Sequence, residues 1–226
     1  MKIKSLIAAV AITTLFGSCL KEQDVQPQQP VAGLSIVQAS PTTEILDLYV
    51  DNTRAITDLT YSKNTEYLNL LPGNRKITVT KKGNQTALFS EQLTFKDYLG
   101  YTLFIVDKLE TVKFLFLEDN LTKPATGKAK IRFVNLSPDA PALSLAIAGK
   151  ETDIVSNKLF KEYSTFIEID PADKITFNIK NKETGLSETT LADVKIANGG
   201  FYTIWVKGLK SATDDKKLGA AIYQHK

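Results

Sequence analysis

Apolar and polar residues alternate along much of the chain. In ILDLYV (Ile45 to Val50), Ile45, Asp47 and Tyr49 fall on one side and Leu46, Leu48 and Val50 on the other. In KITFNIK (Lys174 to Lys180), Ile175, Phe177 and Ile179 oppose Lys174, Thr176, Asn178 and Lys180. A period of two marks strands with one buried face. The pattern predicts strands near 33–39, 45–50, 66–71, 75–81, 87–94, 100–107 and 112–118, and again near 128–135, 142–148, 164–170, 174–181, 188–195, 200–207 and 218–224. Turn-forming stretches separate them: LPGN from Leu71, KKGN from Lys81, DPAD from Asp170 and NGG from Asn198. No long helical pattern follows the first residues.

The strand pattern is written twice. VQASPTTEILDLYV (Val37 to Val50) matches VNLSPDAPALSLAI (Val134 to Ile147) at an offset of 97 residues, with Leu46, Leu48 and Val50 on Leu143, Leu145 and Ile147. Downstream, KITVT at Lys76 meets KITFN at Lys174, and YTLFIV at Tyr101 meets YTIWVK at Tyr202, at offsets of 98 and 101. Three motifs in one order predict a duplication. The seam is DNLTKPATG, Asp119 to Gly127, rich in turn residues. The expected fold class is therefore all-β, with two tandem seven-stranded antiparallel β-sandwich domains, immunoglobulin-like or transthyretin-like. Residues 33–119 form the first domain, 120–127 a linker and 128–226 the second. A transmembrane barrel fits less well, because most of these strands are shorter than the roughly 9–11 residues such a barrel needs.

The N-terminus reads differently. Lys2 and Lys4 precede an apolar run from Leu6 to Phe16, and small residues lead to Cys19, the single cysteine. The run suits the core of a signal peptide over residues 1–18. The ending Leu15-Phe16-Gly17-Ser18-Cys19 resembles a bacterial lipobox, although Phe16 departs from the small or aliphatic residue usual at that place. Such a signal implies cleavage between Ser18 and Cys19 and a lipid on Cys19. Acyl chains would then hold the protein on a membrane without a span. Residues 19–32 are polar and rich in Pro and Gln, as a flexible tether is. Lys21, Glu22 and Asp24 resemble the signal that sends Bacteroidota lipoproteins to the cell surface; as a plain solvated tether they would leave a periplasm-facing position open.

At 43% hydrophobic residues in 226, the chain has enough apolar mass for a core. Its formal charge of +3 falls to +1 without Lys2 and Lys4, and the remaining lysines are interleaved with acids, so nothing points to nucleic acid. Candidate chemistry is sparse. The one histidine, His225, stands next to the C-terminus, where a frayed end is expected, so neither a Ser-His-Asp arrangement nor a zinc site is indicated. Asp47, Asp51, Asp139, Glu168 and Asp170 are candidate acids for a hydrolase or a calcium site, but no DxDxDG loop occurs. Asp139, after Ser137-Pro138, is expected to bond the amides of its own turn. Phe104 and Trp205 are repeat equivalents, which points to paired core positions; an aromatic shelf for sugar is the alternative.

The Ser137-Pro138-Asp139-Ala140-Pro141 turn with its alternating strand, the Pro-led turn before KITF and the Gly-Tyr-Thr strand together resemble the family called domain of unknown function 4397. The first copy departs from the pattern, with Thr42-Thr43-Glu44 in place of Asp-Ala-Pro. The resemblance implies an exported β-sandwich module, common in Bacteroidota lipoproteins, with no established activity. The resulting expectation is a non-enzymatic, lipid-anchored protein of the outer membrane, without cofactor, that binds a protein partner there. A glycan-binding surface lipoprotein is the alternative, and a carboxylate-based hydrolase the weaker one.

Overall fold

A computed structural model describes residues 29–226. The expected signal peptide, the Ser18/Cys19 cleavage and lipidation site, and Lys21, Glu22 and Asp24 lie outside these residues.

The first half holds eight strands: β1 (Ala32–Gln38), β2 (Leu46–Val50), β3 (Thr53–Leu59), β4 (Leu68–Leu70), β5 (Gly73–Lys81), β6 (Ala87–Phe95), β7 (Gly100–Val106) and β8 (Lys113–Asp119). The second repeats them as β9 (Ala129–Asn135), β10 (Leu143–Ile147), β11 (Asp153–Lys158), β12 (Ile167–Ile169), β13 (Ala172–Asn181), β14 (Ser187–Ile196), β15 (Phe201–Lys207) and β16 (Gly219–His225). They form four sheets of four strands, ordered β4-β1-β7-β8 and β3-β2-β5-β6, then β12-β9-β15-β16 and β11-β10-β13-β14.

The all-β expectation is met, with two corrections. Each half has eight strands, not seven. The additional strands, β3 and β11, are sheet edges; TRAITDL and DIVSNK bury only Leu59 and Val155, so a burial-based pattern passes over them. Nor are the sheets wholly antiparallel, because β1 runs parallel to β7 and β9 parallel to β15.

Each pair of sheets encloses its own core. Leu34, Ile36, Leu48, Val79, Leu103 and Ile105 fill the first, and Ile131, Phe133, Leu145, Phe177, Ile179 and Ile204 the second. A third cluster joins them: Val37, Phe104, Val106 and Leu117 pack with Val134, Leu136, Trp205 and Tyr223. The four sheets thus stack as four layers, and the two middle sheets are covered on both faces. That explains YTLFIV and YTIWV, runs with little polar interruption, as expected of strands buried on both sides. Phe104 and Trp205 are indeed paired core positions, in the core between the halves.

The repeat alignment also shifts once. Leu48 pairs with Val79 and Leu145 with Ile179, so Ile77 corresponds to Phe177, an offset of 100 rather than 98. Relative to the offset of 97 in β2, two added residues lie in the longer β10–β11 connection, where Ala146 pairs with Asp153 as Tyr49 does with Arg54, and an irregularity at the start of β13 takes up a third. A two-residue slip keeps every side chain on its face, so KIT at Lys76 and KIT at Lys174 match in sequence without matching in register.

Candidate functional site

Ionisable and hydroxyl side chains gather where the halves meet, at the ends of β8 and β16. Asp119 is fully covered and forms an ion pair with buried Arg132 at 2.8 Å, out of line for a hydrogen bond. Its Oδ2 accepts from Tyr67 Oη at 2.6 Å and from Thr102 Oγ1 at 2.8 Å. Tyr67 Oη also lies 2.7 Å from His225 Nδ1. A carboxylate can only accept, so Tyr67 gives its proton to Asp119 and His225 Nδ1 donates into Tyr67. His225 Nε2 then accepts from Thr203 Oγ1 at 2.8 Å, and Thr203 accepts from Arg132 Nε at 3.2 Å. Tyr223 Oη reaches Thr102 at 3.2 Å, and the Arg132 guanidinium lies 4.8 Å from the Phe166 ring centre.

Local sequence explains the arrangement. Gly33 and Gly100 are neighbours across β1 and β7, and the Tyr67 ring lies against both; a Cβ would stand 3.1 Å and 3.3 Å from it. Two missing side chains let the ring lie flat enough to deliver its hydroxyl to Asp119.

His225 is therefore corrected from a frayed terminal residue to a buried one, because it is the last residue of β16 and pairs with Phe201. Burial pushes its pKa down to about 4; the Asp119 charge works against this and Arg132 with it. Burial and the Asp119 carboxylate push Tyr67 well above the usual phenol range. At neutral pH the site thus holds one ion pair and neutral partners. Every group faces another within the chain, an arrangement suited to fastening.

A cleft opens on each side of this network. One, of about 330 Å³, is lined by Ser35 and Asn64 to Tyr67 of the first half and Tyr223 to Lys226 of the second. The other, of about 170 Å³, is lined by Lys130, Arg132 and Tyr163 to Phe166 of the second half and by Glu118 and Asn120 of the first. The two are repeat counterparts.

The candidate acids are dispersed among structural roles. Asp47 accepts from the amides of Asp58 and Gly83, at 3.3 and 3.2 Å, with Arg54 at 3.8 Å. Asp51 pairs with Arg75, Asp170 with Lys128, and Glu168 accepts from the Ala125 amide. Asp139 bonds the amides of Lys210 and Ser211, at 2.7 and 2.9 Å, rather than amides of its own turn. Its own corner is instead closed by Asn135, which accepts from the Ser137 amide as Gln38 does from Ser40. Partial burial would raise the Asp139 pKa, but the hydrogen bonds from Ser211 and Lys210 outweigh it and hold the carboxyl below the usual range. No group of metal-binding side chains is found among the described residues, and none of their helices is long and apolar enough to cross a membrane.

An open, mostly apolar surface of about 350 Å³ lies at the end where the chain enters the described structure, formed by Val31, Tyr98, Leu99 and Leu121 over Gly33 and Gly100. Tyr98 is 72% exposed on a backbone at φ +61°.

No curated protein matches the chain. Among solved structures it resembles the C-terminal domain of AlgF from P. aeruginosa, at 25% identity over 44% of this chain and 99% of that one, with a TM-score of 0.33. It also resembles the family 26 carbohydrate-binding module of Eubacterium rectale Amy13K solved with maltoheptaose, at 14% identity, coverages of 84% and 96%, and a TM-score of 0.28. A third resemblance is to the fimbrial anchor protein Mfa2 of Porphyromonas gingivalis, at 11% identity, coverages of 86% and 97%, and a TM-score of 0.25. At these scores the likenesses carry no functional inference. The family profile described as "Domain of unknown function (DUF4397)" matches residues 32–146, from β1 into β10 and over half of the chain, and the protein belongs to that family.

Proposed function

We propose that the protein is a lipid-anchored, non-enzymatic binding module of the outer membrane, acting as an accessory to another protein there. The observation that carries this reading is the apolar surface of Val31, Tyr98, Leu99 and Leu121, beside Pro30 and Val31 at the start of the described residues. If the dozen residues from Cys19 to Pro30 form the tether that their composition suggests, its root-mean-square reach is about 20 Å. A lipid on Cys19 would keep this end, rather than the far sheets, beside proteins embedded in the membrane. Clustered apolar exposure of this kind suits a protein contact. Support for a non-enzymatic role comes from the candidate acids, each of which is engaged by a backbone amide or a basic side chain of the chain itself.

A photo-crosslinking residue at position 98 should capture a discrete membrane protein in intact cells, whereas the same probe at Leu186, also exposed, should not. Equal capture from both positions, or capture from neither, would overturn the reading. Cys19→Ala should move the protein from the membrane to the soluble fraction, and persistent tight association would remove the lipid anchor from the account. Protease treatment of intact cells should digest a surface-facing protein and spare a periplasm-facing one.

A further inference from the structure

The outer face of the β3-β2-β5-β6 sheet differs from its counterpart in the second half in a way that points to a ligand. One row across the first sheet reads Arg54, Tyr49, Thr78 and Ser90. The same row of the second reads Asp153, Ala146, Asn178 and Thr190. In the second half, Lys180 reaches over the small Ala146 to pair with Asp153 at 2.6 Å, so the face is covered by its own ion pair. Thr80 stands in the place of Lys180 and is too short to do this. The first face therefore stays open as a groove of about 370 Å³ lined by Tyr49, Asn52, Lys76, Thr78, Thr80 and Ser90 among others.

We propose that this groove binds a saccharide. Tyr49 supplies a ring on which the apolar face of a sugar can stack. Thr78 and Ser90, whose hydroxyls lie 2.8 Å apart, offer paired donors and acceptors to its hydroxyl groups. Thr80 is only 1% exposed, yet its Oγ1 has no hydrogen-bond partner, although it lines the groove. A buried hydroxyl without a partner is uncommon in a folded protein, and a ligand hydroxyl entering beside it would satisfy it. Nearby charge is already engaged: Asp51 by Arg75 and by the Lys76 amide, and Asp47 by two amides and Arg54. What remains is aromatic, hydroxyl and amide surface with one lysine, a composition that fits a polyol better than a peptide or a phosphate.

This inference is independent of the apolar surface around Tyr98, and either can fail without the other. The test titrates the full chain carrying Cys19→Ala with glucose-, mannose- and galacturonate-based hexasaccharides at millimolar concentration, following backbone amides by NMR. At least one hexamer should shift the amides of β2, β5 and β6, and Tyr49→Ala should weaken it about tenfold, the scale of one aromatic contact. Thr78→Val should weaken it by less, and Tyr98→Ala should leave it unchanged. Thermal melting of each variant confirms that it is folded. No shift from any hexamer, shifts located elsewhere, or binding equal in folded Tyr49→Ala would overturn the proposal.

Discussion

The two halves offer one another the same places and fill them differently. Thr102 and Thr203 correspond and both remain threonine. Asp119 corresponds to His225 and Ser35 to Arg132, and Tyr67, just before β4, corresponds to Phe166, just before β12. Where Tyr67 lies on two glycines, Phe166 meets the edge of Phe201 at 5.9 Å. Two identical copies packed about a twofold axis must place each residue and its twin in equivalent surroundings. They could not give Arg132 one acid without burying a second arginine as well. Joining the copies in one chain removes that constraint, so one side carries the acid and the other the base. The apolar partners, Phe104 with Trp205 and Val37 with Val134, stay alike because packing does not depend on sign.

The sharpest way to break this comparison is to remove one charge. Arg132→Met leaves Asp119 buried without its cation and should cost about 3–5 kcal/mol in denaturant unfolding, whereas the double change Asp119→Leu with Arg132→Met should recover most of that loss. If the single variant costs nothing, the ion pair does not join the halves. Next in size, Phe104→Ala and Trp205→Ala should each cost roughly 3–4 kcal/mol, since both are fully packed in the shared cluster. A large cost at one and none at the other would break the equivalence of the two aromatics.

The histidine gives a pH arm. Above pH 6.5 it is neutral in both folded and unfolded chains and contributes nothing. As the pH falls from there to about 4, the unfolded chain takes up a proton that the folded one refuses, and stability drops by up to ~3 kcal/mol. Below that both forms are protonated and this loss is complete. His225→Asn should flatten the slope between pH 6.5 and 5, above the range in which ordinary carboxylates titrate; an unchanged slope would show that the ring is not held neutral. The smallest expected effect concerns Asp139, where the first copy has Thr42. Asp139→Thr should cost about 1 kcal/mol and speed amide exchange at Lys210 and Ser211. If exchange there is unaltered, the carboxylate does not hold the loop.

Much of the fold was legible in the chain. Alternation located fourteen of the strands. β3 and β11 escaped because an edge strand with little to bury has little period. The joining of the halves left a trace that one-sided alternation does not read: YTLFIV and YTIWV have almost no polar beat, the mark of cover on both faces. Arg132 was a second trace, a charge in the otherwise apolar stretch IRFV. The partnership of Asp119 with Arg132, Tyr67 and His225 had no local signal, because no motif spans residues so far apart in sequence. The groove on the first sheet was hidden for a related reason: it depends on Thr80 replacing Lys180, and the two-residue slip in the KIT alignment put the wrong residues opposite each other.

The parallel pairing of β1 with β7 has a consequence for how the chain acquires its shape. Leu34 meets Tyr101 and Ile131 meets Tyr202, so neither half can close its inner sheet until its seventh strand exists. Contacts this distant in sequence carry a high loop-closure cost, and folding in the millisecond-to-second range is expected rather than in microseconds. Until β7 arrives, the apolar flank of β1 has only the three-residue β4 beside it. The growing chain is therefore most prone to wrong pairings at its earliest strand, and a deletion within β7 should leave the first half unable to fold rather than merely weakened.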